Sequence, residues 1–237
     1  AQGLTAATPD WVGRYLFQCD EPAITGYLPF VEDKAIDVPA ALAGVSSRQR
    51  RSLLGQTAAF GFFADHTRDY RPYRKAFESL FEPGPWIRSY ADGLTDRIRS
   101  RGKTLFAVHI RRGDMVTNPN FWVAPVSWYV DWLRPLWNAA IAPVLYVSTD
   151  DTSVIEGFAE FHPLSSDDIT HTFVGAEYYP DWHMLRQADH LAISNSSFSF
   201  TAALLNTRAR DFVRPSRRTK QLIPFDPWDS QPLIERD

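Results

Sequence analysis

Two adjacent arginines, Arg111 and Arg112, follow a short apolar run and are themselves followed by Gly113 and Asp114. A guanidinium group is always charged and offers a planar fork of donors, which suits bidentate contact with a phosphate or diphosphate. Neighbouring residues at a strand end point in different directions. We therefore expect one arginine to meet a phosphate and the other to brace the loop by pairing with Asp114. Gly113 permits a backbone turn that a Cβ atom would hinder.

A second polar segment, Ser194-Asn195-Ser196-Ser197, joins a predicted strand to a predicted helix. The N-terminus of a helix presents free amide donors and a partial positive charge, which together form a ready phosphate site. The hydroxyl groups of Ser196 and Ser197 would add donors to that site. The simpler alternative is an N-cap with spare serines, although one cap needs only one such residue.

The pair Asp150-Asp151 follows another predicted strand and has two interpretations. Paired carboxylates bind metals in many glycosyltransferases, but an aspartate in this place also caps a helix. The residues His171, His183 and His190 lack the spacing of metal ligands on a helix, and one cysteine cannot form a cysteine zinc site. The sequence therefore predicts no metal.

Strands and helices alternate in the second half of the chain, where hydrophobic periodicity indicates each element. The predicted strands are 104–110, 143–148, 170–175, 190–194 and 211–213. The predicted helices are 86–98, 127–140, one that begins after residue 150 or 151, 182–188 and 197–206. Such alternation implies parallel pairing with right-handed crossovers, so residues 104–215 are predicted to form a doubly wound α/β domain. Ligands of such sheets bind beyond the carboxyl ends of the strands, here after Ile110, Ser148 and Ser194.

The composition bounds the class of protein. The chain has 237 residues, of which 44% are hydrophobic and 22% charged, and its net charge of −3 argues against a nucleic-acid partner. We predict an N-terminal region over 1–103 and a Rossmann-like domain over 104–237. The single cysteine, Cys19, fits a reducing compartment, and no apolar run approaches the roughly 20 residues of a membrane span. The expected location is therefore cytoplasmic.

A basic stretch near the end of the chain leaves two alternatives open. The first alternative is that the stretch contacts an anionic membrane or a lipid-linked acceptor. The second is that it is a solvated connection between secondary-structure elements. The stretch comprises Arg208, Arg210, Arg214, Arg217, Arg218 and Lys220.

Four segments resemble signatures of one enzyme family. Residues 106–114, Phe-Ala-Val-His-Ile-Arg-Arg-Gly-Asp, resemble the His-x-Arg-Arg-Gly-Asp motif of α-1,2-fucosyltransferases, of which α-1,6-fucosyltransferases carry a related form. Residues 193–199 resemble the second signature of the α-1,2 family, and 147–151 and 181–189 are similar to segments between the two. The resemblance covers about residues 56–206, and the order and spacing of the segments make it specific.

The resemblance implies a GT-B-like arrangement of two Rossmann-like α/β domains, with the donor GDP-fucose bound in the C-terminal one and no metal or other cofactor. It also implies roles: Arg111 would hold the β-phosphate, His109 and Arg112 would support the donor site, and Asp181 would approach the guanine. The remaining donor-binding candidates are Asp150, Ser196, Ser197 and Phe198. The Gly-Leu-Gly-Asn-Gln segment with which these enzymes begin has no counterpart here, which predicts either a truncated N-terminal region or a divergent relative.

The implied reaction is transfer of L-fucose from GDP-β-L-fucose to a hydroxyl group of an oligosaccharide or glycolipid, with inversion. Arg111 and Asp114 are the catalytic candidates. A general base is expected but not assigned, because Asp114 would be too acidic as a partner of Arg112. Two alternatives are a glycosyltransferase that uses another nucleotide sugar and a non-catalytic module that binds a nucleotide or a glycan.

Overall fold

The computed structural model describes residues 30–32, 58–60, 66–117, 122–169 and 176–232. Two short strands near the N-terminus, β1 (Phe30–Glu32) and β2 (Ala58–Phe60), pair in parallel. A second sheet contains β3 (Thr104–Ile110), β4 (Pro143–Thr149), β5 (His190–Ala192), β6 (Asp211–Ser216) and β7 (Gln221–Pro224). Its order is β4-β3-β5-β6-β7, with every neighbouring pair parallel except β6 and β7.

The predicted parallel α/β sheet is therefore confirmed, with one added strand. The antiparallel strand β7 was not predicted, because its four residues follow a tight turn and carry one buried side chain, Leu222. The strand predicted at 170–175 lies outside the described residues. The division of the chain into 1–103 and 104–237 stays a prediction.

Five α-helices are described, and four of them follow the predicted pattern. They are α1 (Arg74–Leu80), α2 (Pro85–Arg99), α3 (Val126–Ala139), α4 (Tyr179–Arg186) and α5 (Ser197–Leu205). Short 3₁₀ helices cover Thr67–Tyr73, Gly113–Met115, Thr152–Phe161 and Ser166–Asp168. The helix expected after Asp150-Asp151 is therefore a 3₁₀ helix, and Asp151 caps it by accepting a hydrogen bond from the Ser153 amide.

Each face of the sheet carries its own core, because successive side chains of a strand point to opposite faces. On β3, Ala107 packs with residues of α2, α4 and α5. Its neighbours Phe106 and Val108 pack with residues of α3 and of Thr152–Phe161. The side chains of residues 105–110 are at most 4% exposed, as expected for a central parallel strand.

The strand order places the two polar segments side by side. Strands β3 and β5 are neighbours, but the chain leaves β3 toward β4 and leaves β5 toward β6, in opposite directions. A reversal of this kind opens a crevice at the carboxyl ends of the two strands, where ligands of such sheets bind. The crevice lies between Arg111, which follows β3, and Ser194, which follows β5.

The buried side chain of Asn206 joins α4 and α5 at the end of the sheet opposite the crevice. Its amide nitrogen donates to the carbonyls of Leu185 and Ala188, at 3.1 and 3.0 Å. Its oxygen accepts from the amides of Arg208 and Ala209, both at 2.8 Å. These four bonds fix the end of α5 against the end of α4, and so help to position the start of α5 beside the crevice.

Part of the basic stretch forms a turn on the surface. Arg217, Arg218 and Lys220 are exposed in the turn that joins β6 to β7, at the same sheet edge as the crevice. Arg214 instead lies over the Phe225 ring and donates to the Gln231 carbonyl. No helix among the described residues has both the length and the apolar character that crossing a membrane requires.

Candidate functional site

Arg111 is held by two carboxylates at the carboxyl end of β3. Its Nη2 lies 2.8 Å from Asp114 Oδ1, and its Nη1 lies 3.0 Å from Asp150 Oδ2. The expected pairing of Asp114 with Arg112 is therefore wrong. Residues 113–115 form a 3₁₀ turn directly after the two arginines, and Asp114 in that turn pairs with the arginine three positions before it.

Asp150 acts as the brace of this loop. Its Oδ1 accepts a hydrogen bond of 2.7 Å from the Arg112 amide, while its Oδ2 pairs with Arg111. Gly113 leaves the room for this contact, since a Cβ atom there would lie 2.5 Å from Asp150 Oδ2. Gly113 does not adopt a left-handed backbone, so it is required for close approach and not, as expected, for the turn itself. Asp150 contacts Arg111 and the Arg112 amide, and its expected contact with the donor stays a prediction.

Arg112 is partly buried, and its charge acts on Tyr129 and Asp151. Its Nε atom is buried and has no hydrogen-bond partner among the described residues. Burial raises the pKa of Tyr129, and the charge of Arg112 opposes that rise. The two arginines thus act on different neighbours, Arg111 on Asp114 and Asp150 and Arg112 on Tyr129 and Asp151.

His109 and Ser194 connect the ends of β3 and β5. His109 Nδ1 lies 2.9 Å from Ser194 Oγ, which also accepts a hydrogen bond of 3.2 Å from the Arg111 amide. Burial, together with the charge of Arg111, lowers the pKa of His109 to about 3. The imidazole is therefore neutral near neutral pH. Its ring lies 5.2 Å from the ring of Phe198, which places that donor-binding candidate at the same junction.

The N-terminus of α5 lacks a side-chain cap. Ser196 occupies the N-cap position, yet its hydroxyl makes no capping bond, which argues against the alternative of a plain serine cap. Ser196 is 7% exposed and Ser197 is exposed. The first amides of a helix have no partner within it, and the N-cap side chain supplies none here. This helix end is therefore available to an anion.

Asp181 lies in the first turn of α4, beside β4, which is the neighbour of β3 on the side away from β5. It accepts hydrogen bonds from the hydroxyl of Tyr146 and, at 3.0 Å, from that of Ser148. Burial raises the pKa of Tyr146, so its hydroxyl stays a donor. Sequence reasoning missed Tyr146 and Ser148 as anchors, although their positions on β4, two residues apart, place them on one face of the sheet.

An open recess lies beside Arg111 on the face of the sheet that α3 covers. Its volume is about 240 Å³, including the solvent in its mouth. The lining residues are Ile110, Arg111, Met115, Trp122, Val123, Ala124, Tyr129, Ser194, Asn195 and Pro215. Apart from Arg111, Ser194 and Asn195, these were not predicted. No sequence signal brings Trp122, Tyr129 and Pro215 together, because only the strand order does so.

The remaining acidic and histidine residues do not gather elsewhere. Among the residues that the structure describes, no group of three or more His, Cys, Asp or Glu side chains is arranged to hold a metal ion. His183 packs under α2, where its Nε2 lies 2.8 Å from Thr95 Oγ1. His190 pairs with Asp211, its neighbour on β6.

Comparison with known proteins identifies one family model and several solved structures that are similar to this chain. The family model described as "Glycosyl transferase family 11" matches residues 86–216. The fold is similar to that of the α-1,6-fucosyltransferase NodZ in a crystal soaked with GDP-fucose, with 13% identity and a TM-score of 0.52, over 86% of this chain and 74% of that one. NodZ co-crystallised with GDP gives 12% identity and a TM-score of 0.51, over 86% and 73% of the two chains. No curated protein sequence matches the chain significantly. The predicted α/β, GT-B-like fold class is confirmed by the similarity of fold.

Proposed function

This chain belongs to glycosyl transferase family 11 and is a fucosyltransferase-like glycosyltransferase, and we propose that it transfers L-fucose from GDP-β-L-fucose to a hydroxyl group of an oligosaccharide or glycolipid, with inversion at the anomeric carbon. One observation carries the proposal. The Arg111 guanidinium and the uncapped N-terminus of α5 lie at the carboxyl ends of neighbouring strands, joined through Ser194. A diphosphate between them would meet a cation on one side and free amides on the other.

The guanosine end of the donor would lie toward α4. Asp181 is fixed there by Tyr146 and Ser148, and a carboxylate has lone pairs left to accept from the N1 and amino groups of guanine. His109 is neutral and buried at the same junction, so it adds no positive charge of its own to the site.

The transfer step needs stabilisation of the leaving group. The bond between the anomeric carbon and the β-phosphate oxygen breaks, the acceptor oxygen bonds that carbon from the opposite face, and the acceptor proton passes to a base. Negative charge grows on the diphosphate, where Arg111, on exchanging Asp114 for a phosphate oxygen, and the α5 amides would stabilise it. The proposed part of Asp114 is to position Arg111, with which it pairs. The base remains unassigned among the described residues.

A GDP titration tests the donor site. Replacing Arg111→Ala removes a charge-assisted contact worth about 1.5–3 kcal/mol, so GDP affinity should fall by about 10- to 150-fold. Arg134→Ala is the matched control, because Arg134 is a similarly exposed arginine that pairs with Glu160 on the α3 side. Unchanged GDP affinity in Arg111→Ala would contradict the proposal.

Two further measurements separate the alternatives. Tighter binding of GDP than of UDP or ADP is expected, because an acidic group at Asp181 matches the donors of guanine. Equal affinities would favour another nucleotide sugar. Release of GDP from GDP-fucose in the presence of glycan acceptors is expected of an enzyme, whereas binding without release from any acceptor would indicate a non-catalytic module.

The proposed place of action is the cytoplasm, with peripheral contact between the enzyme and an anionic membrane. The support is the exposed turn carrying Arg217, Arg218 and Lys220 at the edge of the sheet where the donor site lies. Sedimentation with phosphatidylserine vesicles should fall when all three residues are replaced by glutamate. Equal sedimentation would remove this part of the proposal.

A further inference from the structure

The recess beside Arg111 has one apolar wall. Met115, Trp122 and Val123, all partly buried, come from the loop between β3 and α3. The neighbouring Tyr129 is 1% exposed, and its hydroxyl is 3.4 Å from the Ile193 carbonyl to which it donates. Pro215 closes the opposite side. The polar side chains of the lining are Arg111, Ser194 and Asn195, whereas Met115 and Val123 offer no strong hydrogen-bonding group and Trp122 offers only its indole N–H.

The order of groups in a nucleotide sugar decides which part reaches this recess. The donor is linear, with the diphosphate between the guanosine and the sugar. Asp181 belongs to α4, which packs on one face of the sheet, whereas the recess opens on the face that α3 covers. With the guanine near Asp181 and the diphosphate near Arg111, the sugar extends toward the recess.

We propose that the wall formed by Met115, Trp122 and Val123 contacts the C6 methyl group of the transferred sugar and selects a 6-deoxyhexose. The inference rests on the proposed function and adds the residues that determine donor specificity. A sugar with a hydroxyl group at C6 would lose hydrogen bonds to water where it packs against the Met115 and Val123 side chains, which offer it no strong partner. Apolar pockets discriminate against one added hydroxyl group by about 100-fold at most.

The test uses three ligands that differ by one group at a time. GDP lacks the sugar, GDP-L-fucose carries the methyl group, and GDP-L-galactose differs from GDP-L-fucose by a single hydroxyl group at C6. Calorimetric titration needs no acceptor. The native protein should bind GDP-L-fucose about 10- to 100-fold more tightly than GDP-L-galactose.

Val123→Thr places a hydroxyl group in the wall at nearly constant volume. It should reduce the ratio of the affinity for GDP-L-fucose to that for GDP-L-galactose several-fold, while leaving GDP affinity unchanged. Val116→Thr is the matched control, because Val116 is in the same loop, is 63% exposed and does not line the recess. Met115→Ala should lower the affinity for GDP-L-fucose more than that for GDP-L-galactose.

The outcomes separate this inference from the function on which it rests. Absence of GDP binding by the native protein would overturn the proposed function itself. Tight GDP binding with equal affinities for the two sugar nucleotides would overturn only the inference. A Val123→Thr protein that keeps the native ratio of the two sugar-nucleotide affinities would also overturn the inference. If that variant changed only the use of acceptors, the recess would be assigned to the acceptor.

Discussion

The Arg111 side chain combines a fixed position with charge that a ligand can still use. It is 39% exposed, and its partner Asp114 is 68% exposed. An exposed ion pair contributes between about 0 and 1 kcal/mol, so exchanging Asp114 for a phosphate costs little. Asp150 is less exposed and also binds the Arg112 amide, so it keeps the loop in place while Arg111 changes partner.

Two buried histidines predict loss of stability in mild acid. Burial lowers the pKa of His183 from 6.5 to about 4, with a further contribution from Arg186, and that of His109 to about 3. The unfolded chain takes up protons below pH 6.5, whereas the folded chain does so only near the lowered values. The free energy of unfolding should therefore fall as the pH drops from about 6.5 toward 4, by up to about 1.4 kcal/mol per pH unit for each histidine.

Urea denaturation at pH 7, 6 and 5 measures this slope. His183→Gln should make it shallower, and the same replacement at the exposed His162 is the control. A slope that is the same in His183→Gln and in the native protein would show that His183 is not the source.

The residue types of the site could be predicted from the sequence, but their partners could not. Arg111, Ser194 and Ser196 were identified from their positions at the ends of predicted strands and His109 from the family resemblance, and all lie at one junction. The partner of Asp114 was predicted wrongly. Asp114 lies in a 3₁₀ turn of only three residues, which is too short to show a hydrophobic pattern in the sequence.

The loop after β3 works as a unit because Gly113 admits the Asp150 carboxylate. Gly113→Ala would place a methyl group 2.5 Å from Asp150 Oδ2 and force that carboxylate away from Arg111. We expect GDP affinity to fall by about tenfold or more, as for loss of a charged contact. Gly93→Ala is the matched control, because nothing lies within 4 Å of its added Cβ atom in α2, where alanine should stabilise the helix by about 0.5–1 kcal/mol. Equal GDP affinities in the two variants would contradict this role.

The junction of α4 and α5 depends on Asn206. Asn206→Ala would leave buried carbonyl and amide groups without partners, at a cost of about 1–3 kcal/mol for each unsatisfied group that water cannot reach. The midpoint of chemical denaturation should fall accordingly. Asn138→Ala, at an exposed position of α3, should change stability by no more than about 0.5 kcal/mol. The account of this junction would be wrong if the two variants were equally stable.

Elements with a strong periodicity were predicted well, and those fixed by tertiary contacts were not. The apolar run 104–110 and the helical stripe 86–98 correspond closely to β3 and α2. Residues 152–161 have the apolar spacing of an α-helix, yet they form a 3₁₀ helix that ends at His162 in a left-handed conformation. The sequence pattern cannot separate these two helices, because both place residues three apart on nearly the same face.

At the scale of the whole molecule, strand order produces the site. Parallel pairing was predictable from the alternation of elements, but the adjacency of β3 and β5 was not, because β4 lies between them in the chain. That adjacency brings residues 111 and 194 together and creates the recess that reaches Pro215. The local sequence supplies the polar groups of the site. The connection from β4 to β5, which crosses over β3, determines how far apart those groups lie.

A crystal structure of the complex with GDP tests the central claim most directly. The account predicts that the β-phosphate lies within hydrogen-bonding distance of the Arg111 guanidinium and of the first amides of α5, with the guanine near Asp181. A diphosphate bound elsewhere, with Arg111 still paired to both Asp114 and Asp150, would contradict it.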